Sequence, residues 1–189
     1  IQYVGRDGTE YLESPVLPIS PGKYKAKVNI TLLEDQSSRE ISTDFEIKKA
    51  NATNSDSQVN IQGWTYGDDG NTPSIDSSLN PENQTVRYTY YTDGACTTQT
   101  STENGAETEG GIPKNAGTYY VQAQISASNN YNEGTATGSF EIEAKEVTVK
   151  PDDLRKHIGE KDPKLTYTTD GIVEGETLSG ITLQRVSGE

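Results

Sequence analysis

Few side chains in this sequence could do chemistry, and their types narrow the options quickly. The sole histidine is His157 and the sole cysteine is Cys96. A Ser-His-Asp or Cys-His relay needs a nucleophile, a base and an orienting group within mutual reach. His157 lies in a polar turn. Cys96 lies in Asp93-Gly94-Ala95-Cys96-Thr97-Thr98, with no basic neighbour to lower its thiol pKa. It reads as a small, half-buried side chain, and one cysteine supports neither a disulfide framework nor a CxxC metal site. Carboxylates are abundant, but glycoside hydrolysis needs two at a set separation across a cleft, and no such setting is visible. The expectation is a non-enzymatic chain without a cofactor.

Two other groups could bind rather than react. Asp68, Asp69 and Asn71 place hard oxygens in one turn, with Asp76 following, and are the calcium candidates. Calcium takes six to eight oxygens, and the spacing of an EF-hand loop is absent. The competing reading is a tight turn permitted by Gly67 and Gly70, its amides capped by the acids. The tyrosines form the second group. Tyr88 and Tyr90 share one face of a strand, Tyr91 faces the other way, and Tyr120 alternates with Tyr119. Exposed rings stack on pyranose faces, so Tyr88, Tyr90, Tyr91 and Tyr120 are the glycan candidates. The competing reading is cross-strand tyrosine pairing. Trp64 beside Tyr66 reads as core. The lysines sit on polar strand faces (Lys23, Lys25, Lys27) or in turns (Lys114), so no Lys–Asn isopeptide cross-link is expected.

These residues must be positioned by a thin-cored chain. It has 189 residues and a net charge of −13. Leu, Ile, Val and Phe make up only 18% of it, a fraction that with such charge would suggest disorder. Eleven tyrosines, one tryptophan and 18 glycines argue instead for several small, turn-rich domains. The acidic balance offers phosphates no basic face, so no nucleic-acid partner is expected. No apolar run approaches a membrane span. No signal peptide opens the chain, as expected of a mature or excised piece.

The chain repeats itself. Gly22–Ile30 alternates strictly, with Tyr24, Ala26, Val28 and Ile30 on one face, and Gly117–Ile125 repeats the pattern 95 positions on. Asp44-Phe45-Glu46-Ile47 returns at the same offset as Ser139-Phe140-Glu141-Ile142, each read as the last strand of a domain. A short strand before a Gly-acidic turn closed by proline also recurs, once over Val59–Pro73 and once over Val147–Pro163. Helix signals are nearly absent, apart from one possible turn over Pro151–His157. The matches predict residues 51–145 as one complete unit, 1–50 as the second half of a preceding unit, and 146–189 as the first half of a following one. Their net charges are −1 for the first, −9 for the middle and −3 for the last. About seven short strands in each roughly 95-residue unit predict an all-β fold: immunoglobulin-like β-sandwich repeats in tandem.

At this point a family resemblance emerges. Trp64-Thr65-Tyr66-Gly67-Asp68, Val86–Asp93, Cys96-Thr97-Thr98, Asn104-Gly105-Ala106 and Gly110–Tyr119 resemble the tandem Ig-like repeats of large bacterial, Firmicutes-type surface proteins. Ile158–Tyr167 followed by Gly171–Gly180 is similar to the MBG (YGX-type) repeat, departing at the YG position, which reads Ile158-Gly159. The resemblance implies export, attachment to the cell envelope, and a role as stalk, spacer or adhesin module. The partners it implies are neighbouring repeats and host or cell-wall glycan or protein. The alternative function is a carbohydrate-binding module appended to an exported enzyme. Only four residues separate Ile142 from Val147, which predicts a stiff second junction. The polar stretch 48–58 predicts a looser first one.

Two half-units in one chain raise the prospect of head-to-tail self-association. The front half of one molecule would then pair with the rear half of another, with Phe45 and Ile47 against Val147, Val149 or Leu165 of a neighbouring copy. A core for Phe45 lying wholly within residues 1–145 would exclude it. The plainer arrangement packs each half on the middle unit.

Overall fold

The computed structural model describes residues 1–34, 36–51, 58–100 and 111–186. Asn104-Gly105-Ala106 and Gly110, part of the resemblance above, lie outside these residues. The fold is all-β, with one short 3₁₀ turn, Ser77–Leu79, capped by the Asp76 carboxylate accepting from Ser78 N–H at 2.8 Å.

Three groups of strands follow one another along the chain. In front, β1 (Gln2–Arg6), β2 (Gly22–Thr31) and β3 (Ser38–Ile47) form an antiparallel sheet. In the middle, β4 (Val59–Asn60) pairs with β6 (Ser74–Ile75). This hairpin faces a sheet ordered β5-β9-β8-β7, built from Trp64–Thr65, Gly134–Glu143, Gly117–Ile125 and Val86–Tyr91. At the rear, β10 (Thr148–Pro151) pairs with β11 (Tyr167–Asp170).

The sequence repeat is a structural repeat at the level of register. Gly22↔Ile47 and Tyr24↔Phe45 in the front sheet correspond to Gly117↔Ile142 and Tyr119↔Phe140 in the middle one, 95 positions on. Ring geometry repeats with it. Tyr3 meets Phe45 edge-on at 6.1 Å and 83°, and Tyr90 meets Phe140 edge-on at 6.0 Å and 83°. Tyr24 lies nearly flat against Phe45 and Tyr119 is tilted against Phe140. Each of these β2 and β8 tyrosines donates its hydroxyl to the carbonyl four residues upstream, Tyr24 to Ser20 at 2.7 Å and Tyr119 to Asn115 at 3.0 Å. A ring buried against a sheet must place its O–H somewhere, and the preceding turn supplies the acceptor both times.

The two sheets differ in what covers them. In the middle unit the β4–β6 hairpin, Ile61 and Leu79 close over β8 and β9, and Trp64 stacks on Phe140 at 4.9 Å. Ala123, Ile125 and Ala136 are accordingly 0%, 1% and 1% exposed. Their front-sheet counterparts Val28, Ile30 and Ile41 are 38%, 42% and 50% exposed. Phe45 takes Tyr3 and Tyr24 from its own chain on two sides, yet stays half-buried. Among the described residues no ring occupies the place over Phe45 that Trp64 takes over Phe140. Phe45 therefore lacks a complete core within residues 1–145.

The rear hairpin is the counterpart of the covering layer. Shifted by 92 positions, the pair Val59↔Ile75 falls on Pro151↔Tyr167. The turn closed by Asp68 N–H to Thr65 C=O falls on the one closed by Glu160 N–H to His157 C=O. Both turns carry glycine in the left-handed region, Gly67 at φ 90° and Gly159 at φ 87°, as a type II turn requires. The helical turn expected over Pro151–His157 does not form. Pro151 instead ends β10 opposite Tyr167, a strand-end position where its missing N–H is tolerated. Val149, Leu165 and Tyr167 remain more than a third exposed. Neither half buries its apolar face on the middle unit.

The two phenylalanines should respond differently to truncation. Phe140→Ala should cost about 3–5 kcal/mol, read from denaturant unfolding followed by the fluorescence of Trp64. Phe45→Ala should cost only ~1–2 kcal/mol, since part of its ring already meets water. An added Cβ at Gly138 would lie 2.4 Å from the Val59 carbonyl oxygen. Gly138→Ala should therefore push β4 off the sheet and destabilise the middle unit, while Thr43→Ala, at the matching front position, should leave stability nearly unchanged.

Candidate functional site

The described features that join units, rather than any single side chain, carry the chain's distinctive geometry. At the rear junction, Tyr66 follows β5, and its N–H donates to the Glu143 carbonyl at 2.8 Å, at the end of β9. Its hydroxyl donates to Glu176 of the rear segment. Next to it, Gly67 is approached so closely by Val173 that a Cβ would lie 2.6 Å from a methyl carbon. Gly171, at φ 88°, meets the Glu146 carbonyl with the same intimacy, at 2.2 Å from a notional Cβ. An apolar crevice of about 320 Å³ runs between the units, walled by Tyr66, Ala116, Ala144, Val147, Val173 and Leu178. Beside it lies a polar cleft of about 630 Å³ reaching Asp68, Asp69, Lys114, Glu174 and Glu176.

The front junction is built from hydrogen bonds. Ala50 N–H donates to Asn130 C=O and Asn132 N–H to Ala50 C=O, both at 2.8 Å, so Ala50 bridges to the loop between β8 and β9. Lys49 donates to the Ser128 carbonyl at 2.6 Å, and the Asn132 amide to Asn51 at 2.7 Å. The Asn130 amide donates to Glu82 at 2.5 Å. Hydrogen bonds from Ser128 and Asn130 hold the Glu82 carboxyl below its ordinary value of 4.5. Within the stretch expected to be loose, residues 49–51 are thus fastened, while 52–57 lie outside the described residues.

The residues singled out from sequence fall as follows. Asp68 and Asp69 are exposed. The Asn71 amide is spent on the Gln62 and Gly63 carbonyls at 3.0 and 3.1 Å, and Asp76 caps the 3₁₀ turn. Among the described residues no three His, Cys, Asp or Glu side chains converge as a metal site. Tyr90 and Tyr91 are buried, at 5% and 8% exposure, and burial pushes the Tyr90 hydroxyl pKa up. Tyr88 and Tyr120 are half-buried, and the Tyr120 ring lies against Gly94. Their positions fit sheet packing better than a row of open rings. Cys96 sits at φ 54° in a turn organised by Asp93, whose carboxylate accepts from the N–H of Ala95, Thr97 and Thr98. Burial and Asp93 push the thiol up, away from nucleophilic character. His157 is exposed, its N–H donating to Glu160. Sequence reasoning missed Tyr66–Glu176 and Asn130–Glu82, because both join positions far apart in the chain. The glycine at Gly67, beside a tyrosine and before two acids, was their one legible trace.

The rear hairpin, its glycine turn and its closing proline are the features on which a family comparison turns. Residues 147–189 match the family model of the MBG domain (YGX type). The MBG match begins at Val147, just ahead of β10, and takes in the rear turn and the side of the junction bearing Val173 and Glu176. No curated protein and no solved structure gives a significant match to the chain.

Two outcomes follow for the junctions. Gly67→Ala places a side chain at positive φ and into Val173, and Glu176→Gln weakens the tie to Tyr66. Both should broaden the distribution of distances between spin labels on the middle and rear units, with the Trp64-reported stability of the middle unit little changed. At the front junction, Glu82 has a lowered folded pKa. Its stabilising bonds are therefore complete above the ordinary carboxylate range and are lost as pH falls through the folded value. Exchange of the Ala50 amide should accelerate on acidification below about pH 4, and Glu82→Gln should flatten that response.

Proposed function

We propose that the chain is a non-enzymatic repeat segment of an exported surface protein. It serves as a stalk, spacer or adhesin module, outside the cell and attached to its envelope. The observation that carries this reading is the repeat itself together with where its junctions lie. The front unit fastens to the loop after Ile125, and the rear unit to the end of the same sheet near Gly117 and Ile142. Successive units are therefore added at opposite ends, which extends an array instead of thickening it. The MBG match supports the same reading, as a repeat domain of surface proteins. The burial of Tyr90 and Tyr91, the raised Cys96 thiol and the exposed His157 support a mechanical rather than catalytic role. Among the described residues no helix is long and apolar enough to cross a membrane, in keeping with a segment that stands clear of the bilayer.

Small-angle scattering of the full chain should give an elongated particle, and single-molecule stretching should show the middle unit unfolding as a discrete event. A compact particle would contradict the stalk. Reproducible binding to a polysaccharide, abolished by replacing Tyr88 or Tyr120, would favour a carbohydrate-binding module instead.

A further inference from the structure

We propose that the uncovered face of the front sheet is the seat of the rear hairpin of a second copy of this chain, giving head-to-tail association. This goes beyond the stalk reading and holds for spacer and adhesin alike. The structure shows what such a sheet takes as its cover. In the middle unit, the sheet of identical register is closed by β4 and β6 across its face, and by β5 running parallel to the end of β9 at Ile142 and Glu143. The corresponding places in the front unit are open. Val28, Ile30 and Ile41 are exposed, and β3 is the outer strand of its sheet, its far edge carrying no named strand. Such an edge is a template for a further strand.

The chain carries one hairpin of the required kind without a sheet to cover. β10 and β11 repeat the pairing of β4 and β6, and the turn at Gly159 repeats the one at Gly67. Val149 and Tyr167 remain exposed, and Ile158, where Tyr66 stands in the middle unit, is fully exposed. Hairpin and sheet cannot meet within one molecule as it is arranged. They attach to opposite ends of a nine-residue strand, roughly 25–30 Å apart. A second copy satisfies both faces and leaves one open sheet and one open hairpin at the ends of the pair, so association continues. Val28, Ile41 and Thr43 stand where Ala123, Ala136 and Gly138 stand in the middle unit. The incoming hairpin therefore rides farther from the sheet than β4 does.

Sedimentation velocity on the full chain, from micromolar to near-millimolar concentration, should show a mass that grows with concentration. A monomer across that range overturns the proposal. The pairing is read by cross-linking in a Cys96→Ser background. Chains carrying Ile41→Cys are mixed under oxidising conditions with chains carrying Val149→Cys. A mixed disulfide dimer should dominate. Predominance of Ile41→Cys homodimers would mean front sheets pairing edge to edge, and would overturn the proposal. Ile41→Lys and, separately, Val149→Lys should each lower the weight-average mass toward the monomer, with Trp64 fluorescence unchanged. Association persisting in both variants would also overturn it.

Discussion

A β-sheet with one apolar face is half of a structure, and the demand for a second layer shapes this chain more than any side-chain chemistry. The middle unit shows the demand met. Phe140 lies between Trp64, Tyr90 and Tyr119, with aliphatic side chains from β4, β6 and the 3₁₀ turn closing the rest. With Leu, Ile, Val and Phe so scarce, aromatic rings must supply much of the buried area, and tyrosine does so only where its hydroxyl finds an acceptor. That is why the bond from Tyr119 to Asn115 recurs as the bond from Tyr24 to Ser20. The polar anchor and the apolar ring form one device, present wherever the sheet is present.

Where the layers meet also decides how units join. A sandwich closed over its faces can offer neighbours only its two ends. One end of the middle unit is the loop after β8, whose backbone groups at Asn130 and Asn132 bridge to Ala50. The other is the region where β5, the end of β9 and the turn at Gly67 converge, and it receives Val173 and Glu176. The first joint is made by backbone groups and amide side chains, with Glu82 as its charged member, and so answers to pH. The second adds apolar contact and a glycine that tolerates no Cβ, and so answers to shape. Two joints of different chemistry let one chain bend or stiffen at separate places.

Much of this was legible in the sequence, and particular residues show why. Register is fixed by strict alternation when one face is apolar. Tyr24, Val28 and Phe45 therefore revealed the front sheet as soon as their counterparts at 95 positions were recognised. Gly67 and Gly159, each one residue before an acid, marked two equivalent turns. The tyrosines were less legible. Tyr90 and Tyr91 point to opposite faces of β7, so alternation offered one of them to solvent, yet tertiary packing buries both. Local propensity misled at Pro151, where a proline followed by two acids has the composition of a helix start. Pairing with Tyr167, sixteen residues away, holds it extended instead. The contacts at the candidate junctions were invisible because no local pattern encodes a bond from Tyr66 to Glu176.

Repeats as alike as these face a problem of identity, since any covering hairpin might settle on any sheet. The difference between Gly138 and Thr43 addresses it. β4 approaches the middle sheet so closely that a Cβ at Gly138 would lie 2.4 Å from the Val59 carbonyl oxygen. Threonine at the matching position of the front sheet forbids that approach, and Val28 and Ile41 in place of Ala123 and Ala136 reinforce the barrier. The β4–β6 hairpin is thereby excluded from the front sheet at its native depth and committed to its own unit. Discrimination between near-identical partners rests on such repulsive elements as much as on attraction. A repeat array therefore need not vary its registers or its aromatic cluster to keep its layers in order. It is sufficient to vary the size of three side chains on the face where the layers touch.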